Sequence, residues 1–168
     1  MPGFRVGTGY DSHRFDAERP LVLGGVAIPD HPGLSGHSDA DAVAHAVTDA
    51  ILGAVAAGDI GTHFPPTDDR WKGADSIGLL RRAAEIVKER GYRVGNVDVT
   101  VVCESPKIGP RASAMARRLG DAIGVPPGSV SVKGKSNEGL GWIGRGEGIA
   151  VHAVAIVARI STPESAED

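Results

Sequence analysis

The 168-residue chain has one cysteine, Cys103, so no internal disulfide can form and the sequence reads as that of a cytoplasmic protein. Aromatic residues make up only 4% of it, which leaves few platforms for stacking single-stranded nucleic acid. Positive charge is not in excess either: 18 Lys and Arg stand against 21 Asp and Glu, a formal net charge of -3, and the basic residues form no cluster. That balance argues against duplex nucleic acid as a partner. No apolar run approaches the roughly 18 residues of a membrane-spanning helix. The start MPGFRVGTGYDSH lacks the apolar stretch of a secretory signal. Neither a membrane nor a nucleic acid is expected as partner.

Glycine, by contrast, is abundant. The chain has 24, about twice average usage, without a collagen-like period. Tight turns, or backbone brought close to a ligand, would account for it. The length fits a single domain, residues 1–160, followed by a polar tail, STPESAED, at 161–168 that is expected to be disordered. Phe4 to Gly7 reads as a short strand, and Leu21 to Ile28 as strands meeting at Gly24-Gly25. A helix is expected from an N-cap at Ser38, with Asp39 and Asp41 in its first turn, to a stop at Gly58. Its apolar stripe runs through Val43, Ala46, Val47, Ala50, Ala54 and Val55, while Asp41, His45 and Asp49 share another face. Asp59 to Arg70 reads as loop, Ser76 to Arg90 as helix, Tyr92 to Cys103 as strand and Glu104 to Pro110 as loop. Arg111 to Ile123 is a further helix, and Ser129 to Lys135 and Ile149 to Ile160 are strands. The last strand is apolar on both faces, so helices can cover one face and a second copy of the chain the other.

Asp11 and His13 are two residues apart, so in extended chain both point to one side. With His45 as a third group they could hold one metal ion with a position left open, or each could be a hydrogen-bonded surface residue. His37, just before the helix, is a candidate anion contact or a plain loop histidine. His31, His63 and His152 have no partner pattern and read as loop or packing residues, and Cys103 as a small buried hydrophobe. Gly139, Gly141 and Gly144 match G-x-G-x-x-G, but strand rather than helix follows Gly148, which excludes a dinucleotide fingerprint. GSVSVKGKS at 128–136 has the wrong spacing for a phosphate-binding P-loop and lies in a strand. Arg145 and Glu147 could pair at a turn or bind an anion.

Taken in order, GTGYDSHRF, GLSGHSDADAVAHAVTDAILGAVAAGDIG, FPPTD, GYRVGNVDVT and SNEGLGWIGRGEGIA resemble the 2-C-methyl-D-erythritol 2,4-cyclodiphosphate synthase family of the non-mevalonate isoprenoid pathway. The similarity runs from Phe4 to Arg159. It implies an α+β (mixed α/β) fold, a mixed β-sheet with helices on one face, whose sheets pack together in a homotrimer with active sites between subunits. It implies a phosphorus-oxygen lyase that closes 4-diphosphocytidyl-2-C-methyl-D-erythritol 2-phosphate into a cyclic diphosphate and expels CMP, so the small-molecule partner carries a cytidine diphosphate group. Asp11, His13 and His45 match zinc ligands, one ion per subunit, and Glu138 matches the ligand of a magnesium or manganese ion on the substrate diphosphate. His37 matches a transition-state stabiliser, and with Ser38 it would contact the methylerythritol phosphate. Asp59, Ile60 and Gly61 would hold the erythritol hydroxyls beside a mobile loop of Phe64, Pro65, Pro66, Thr67 and Asp68. Cys103, Glu104, Ser105, Pro106, Lys107, Ile108 and Gly109 would line the cytidine pocket of an adjacent subunit, reading the base largely through backbone groups. Ser136, flanked by Lys135 and Asn137, stands where the family has a threonine that touches the diphosphate. Trp142 falls within the substrate-binding set, Arg145 matches a substrate-contacting arginine, and Arg145 and Glu147 would line a central cavity of the trimer. Thr8, Pro66, the Lys135-Ser136-Asn137 run and Trp142 depart from the family pattern. A trimeric binding module for nucleotides or isoprenoid diphosphates, and a zinc hydrolase of a nucleoside diphosphate, are the competing readings.

Overall fold

Residues 3–161 are described by a computed structural model, so the expected tail beyond Ser161 lies outside the described residues. The first strand is far longer than the sequence suggests: β1 runs Phe4–Leu23 and turns at Gly24-Gly25, where φ is +57° and +69°, into β2, Val26–Leu34. Its length has a topological cause. Phe4 to Arg14 pairs with the last strand, and Phe15, Asp16 and Pro20 to Leu23 pair with β2 across an irregular register, so a polar middle that breaks the hydrophobic alternation still stays in the sheet. After β2 come the helices α1 (Ala42–Ala54), α2 (Ile60–His63) and α3 (Ser76–Glu89), then strand β3 (Tyr92–Val102). Helix α4 (Gly109–Ile123), strand β4 (Val130–Lys135), helix α5 (Gly141–Gly144) and strand β5 (Gly148–Arg159) complete the domain. The expected mixed sheet is present in the order β2-β1-β5-β3-β4, with β3 and β4 parallel and the other neighbours antiparallel.

Several boundaries are corrected by hydrogen bonding. The α1 N-cap is Asp41 rather than Ser38: its carboxylate accepts from Val43 N at 3.1 Å and Ala44 N at 3.0 Å. Neither Asp39 nor Asp41 is in the first turn. The helix stops at Ala54, before Gly58, because the backbone reverses through Ala56 at φ +53°. The segment read as loop from Asp59 contains α2, capped by Asp59, and a 3-10 turn at Asp69–Trp71, capped by Asp68. Helix α4 begins two residues earlier than expected, with Pro110 in its first turn where the missing N–H costs nothing.

Helices α1, α3 and α4 lie over one face of the sheet and enclose a core that includes Leu21, Leu23, Val47, Ile51, Leu80, Met115, Leu119, Val99 and Val151. Two glycines govern how close α1 sits to β1. A Cβ on Gly9 would lie 1.9 Å from the Ala46 carbonyl oxygen, and one on Gly7 would lie 2.1 Å from that of Ala50. Here the close backbone approach serves a helix, not a ligand. On the opposite face Phe4, Val6, Tyr10, Val154 and Ile156 are 55%, 54%, 53%, 44% and 37% exposed, so one side of the sheet is apolar and uncovered in the single chain.

Candidate functional site

Asp11 and His13 continue the row of Gly7 and Gly9 on the helix-covered face of β1, so the contact that draws α1 down also brings His45, one residue before Ala46, to the same place. One oxygen of Asp11, Oδ2, lies 2.9 Å from His13 Nε2 and 2.9 Å from His45 Nδ1. The three donor atoms fall within 4.8 Å of one another, and among the described residues this is the group of His, Cys, Asp and Glu close enough to hold a metal ion.

The outer nitrogens decide what the inner ones offer. His13 Nδ1 is 2.6 Å from the Ser35 carbonyl, which can only accept, so it carries the proton. His45 Nε2 is 2.8 Å from Ser76 Oγ, and Ser76 donates its own hydrogen to the Asp39 carboxylate, so His45 Nε2 is also the donor. In their neutral forms both rings therefore turn lone pairs toward a carboxylate oxygen. Three acceptors facing one another need a proton or a cation between them, and two imidazoles with one carboxylate, each imidazole anchored at its far nitrogen, suit a divalent metal. Burial alone raises the Asp11 carboxyl, but hydrogen bonds from His13 and His45 and their charge outweigh it and hold the group well below the usual carboxylate range. For His13 burial disfavours the charged ring, yet the Asp11 hydrogen bond and charge win and its pKa is raised.

Asp41 and Asp49 do not share a working face with His45, contrary to the helical spacing. Asp41 is fully buried and takes the amides of Gly24 at 2.8 Å and Gly25 at 2.6 Å besides those of its own helix. Asp49 accepts from Ile60 N at 2.8 Å. The carboxylates lock α1 to the β1–β2 turn and to α2, and the imidazole alone enters the cavity.

That cavity, about 270 Å³, is lined by Asp11, His13, His45, His37, Ser38, Ile60, Gly61, Phe64 and Pro66. Trp71 and Leu79 line it too and were not anticipated. Ser38 is buried, with its hydroxyl accepting from Ala40 N at 3.1 Å and lying 3.1 Å from His45 Nε2. Thr62 N and Oγ1 occupy one oxygen of Asp59 at 2.8 and 2.7 Å, which holds this carboxyl below its usual value. The supporting Ser35 carbonyl, Asp39 and Ser76 also escaped sequence reading. Ser76 offered only the signal of a helix start.

A second cluster sits at the C-terminal ends of the parallel strands β3 and β4 and contributes nothing to the cavity lining. Glu104 Oε1 accepts from Asn137 N at 2.9 Å and Gly139 N at 3.2 Å, and Cys103 N donates to the Lys135 carbonyl at 2.9 Å. These bonds tie Cys103–Gly109 to Lys135–Glu138. Ser136 Oγ donates to Glu138 Oε1 at 2.6 Å, and Glu138 itself has φ +51°. Cys103 is buried, as expected, and burial pushes its thiol up to about 11. Arg145 and Glu147 pair at 2.6 Å, and Glu147 and Trp142 face a wider cavity of about 680 Å³ that His13 also borders.

The chain matches the family model of the YgbB family over residues 4–158. A Symbiobacterium thermophilum protein named 2-C-methyl-D-erythritol 2,4-cyclodiphosphate synthase is 58% identical over 153 residues, covering 91% of this chain and 98% of that one. The bifunctional IspDF of Campylobacter jejuni superposes with a TM-score of 0.90 at 40% identity, over 94% of this chain and 43% of its own length, so this chain corresponds to one part of it. A Plasmodium falciparum IspF solved as a CDP complex gives a TM-score of 0.83 at 34% identity, with 96% of this chain and 99% of that chain covered.

Proposed function

The chain belongs to the YgbB family, and from that premise we propose that it converts 4-diphosphocytidyl-2-C-methyl-D-erythritol 2-phosphate into 2-C-methyl-D-erythritol 2,4-cyclodiphosphate and CMP. An oxygen of the 2-phosphate bonds to the β-phosphorus of the diphosphate, the bond from that phosphorus to the bridging oxygen breaks, and its electron pair leaves on CMP. No water and no protein nucleophile enter the balance. The observation that carries this reading is the single Asp11 oxygen faced by two imidazole nitrogens at 2.9 Å, inside the cavity that also holds His37.

Asp11, His13 and His45 would hold zinc. When bound, a divalent cation supplies Lewis acidity and offsets the repulsion between two anionic phosphates. Glu138, with Ser136 hydrogen-bonded to it, is assigned to a magnesium or manganese ion on the diphosphate. His37, exposed at the cavity mouth, donates to the methylerythritol phosphate and to the charge that builds on the reacting phosphorus. Ser38 contributes through its position beside His45, since its hydroxyl is already engaged. Asp59 keeps its second oxygen for an erythritol hydroxyl, and Ile60, Gly61 and the Phe64–Asp68 loop close over that end of the substrate. Cys103–Gly109, Lys135 and Asn137 hold the cytidine end, and Trp142 and Arg145 border the diphosphate path.

The working unit is a homotrimer. Two features support this: the exposed apolar stripe on the sheet face opposite the helices, and the separation of the triad cavity from the cytidine loops within one chain. A neighbouring copy would cover the first and bring its own loops to complete the second. Incubating zinc-loaded protein with the diphosphocytidyl substrate and magnesium in ¹⁸O-labelled water tests the proposal. Equal amounts of CMP and an unlabelled cyclic product are expected. A linear labelled product would instead mark a zinc hydrolase, and absence of CMP would leave a binding module.

A further inference from the structure

His31 belongs to neither cluster, but its ring is fixed on three sides. Nδ1 lies 2.9 Å from the Pro32 carbonyl, and Phe15 meets the ring edge-on with centroids 5.0 Å apart. Nε2 lies 3.1 Å from the hydroxyl of Ser105, 74 residues away in sequence and exposed on the loop Cys103–Gly109. A carbonyl only accepts, so Nδ1 carries the proton of the neutral ring and Nε2 presents a lone pair. Ser105 must then donate its only hydrogen to His31. Among the described residues this is the side-chain hydrogen bond that joins the loop to β2.

We propose that His31 is a positioning residue that holds the Ser105 hydroxyl as a hydrogen-bond acceptor and so biases the nucleotide loop toward cytosine over uracil. The inference rests on the assignment of Cys103–Gly109 to the cytidine end of the substrate. With its hydrogen committed to His31, Ser105 offers a ligand lone pairs alone. Cytosine carries an amino donor at the ring position where uracil carries a carbonyl, so a fixed acceptor favours the first and repels the second. A hydroxyl free to rotate would serve either base. The selection adds a side chain to whatever the loop backbone reads.

Titration of the zinc-loaded protein with CDP and with UDP tests this, using His31→Phe, which keeps an aromatic ring beside Phe15, and Ser105→Ala. Each variant is expected to weaken CDP binding about fivefold to tenfold and to leave UDP within about twofold, so the preference narrows. The double variant should be no worse than either single one, and His31→Gln, whose amide oxygen can accept from Ser105, should recover part of the loss. In turnover the change should fall on KM, with zinc content intact. Equal weakening of CDP and UDP would show a purely structural role and overturn the proposal, as would additive effects or unchanged CDP affinity in both single variants. Wild-type protein that binds neither nucleotide would instead remove the cytidine assignment beneath it.

Discussion

Of the three triad side chains His45 is held from behind by buried or half-buried groups, while the carbonyl behind His13 belongs to exposed Ser35, and the loops at the ends of β3 and β4 are held by bonds at the surface. His45 is backed by Ser76 and Asp39, and its helix is anchored through the fully buried Asp41 and pressed onto Gly7 and Gly9. Glu104 and His31 do the corresponding work for the loops, and both are partly open to water. Close packing resists deformation, while a single hydrogen bond near solvent contributes about 1 kcal/mol net. The triad is thus a rigid cradle, suited to fixed coordination distances. The loops can adjust to an organic ligand and to a neighbouring copy.

The most damaging change should strike the cradle at its base. Gly9→Val places side-chain atoms where the Ala46 carbonyl lies, at a site whose Cβ alone would come within 1.9 Å. A loss on the order of 3 kcal/mol or more is expected, lowering Tm by about 6–12 °C, with metal affinity falling as His45 moves away from Asp11. Calorimetry and metal analysis check both. A variant that keeps wild-type Tm and metal content would show that the helix can ride away from β1 without consequence, and the contrast between rigid and adjustable regions would fail. Next in size is His45→Ala, which removes one of the three groups proposed to hold zinc and leaves the helix contacts in place. Turnover is expected to drop by on the order of 10³-fold or more and bound zinc to vanish, with the fold retained by circular dichroism.

How much of this was legible depends on how local each signal is. Helices α3 and α4, the strand β3 and the two-faced β5 follow from periodicity that a dozen residues display. The long β1 does not, because Asp11 to Arg14 stay extended through partners 130 residues and more away, and no window of sequence shows them. Asp11, His13 and His45 were found by residue type and spacing, and the structure brings them together. The amide partners of Asp41 and Asp49 stay hidden because helical spacing reports a shared side of the helix but not whether that side meets water, an amide or a metal. Ser76 and Ser35 act through a hydroxyl and a backbone carbonyl, and neither leaves any mark in composition.

On the adjustable side the expected effect is smaller and of a different kind. Glu104→Ala frees the amides of Asn137 and Gly139, so the two loops drift apart while the triad is untouched. Affinity for CDP should fall roughly 10–30-fold, with Tm nearly constant and zinc stoichiometry unchanged. Zinc loss in this variant would mean that the two regions are mechanically linked within one chain.

The smallest effect is a matter of protons and concerns the metal-free protein. The His13 pKa is raised above its ordinary 6.5 by the Asp11 carboxylate, against the opposing pull of burial, so this pair adds stability that is fully present below about pH 6.5. That contribution disappears as pH climbs through the raised value. Asp11 works in the other sense: its lowered pKa adds stability above its ordinary 3.8, lost only in strong acid. Metal-free protein should therefore melt lower at pH 9 than at pH 6, by at most about 3 °C from this source, as read by the difference from His13→Gln. On the proposed zinc assignment the cation would take the place of the proton, so the loaded protein should show no such decline. If the decline persists with zinc bound, the proton and the metal do not share a place, and the convergence of three lone pairs on one point is not what shapes the cradle.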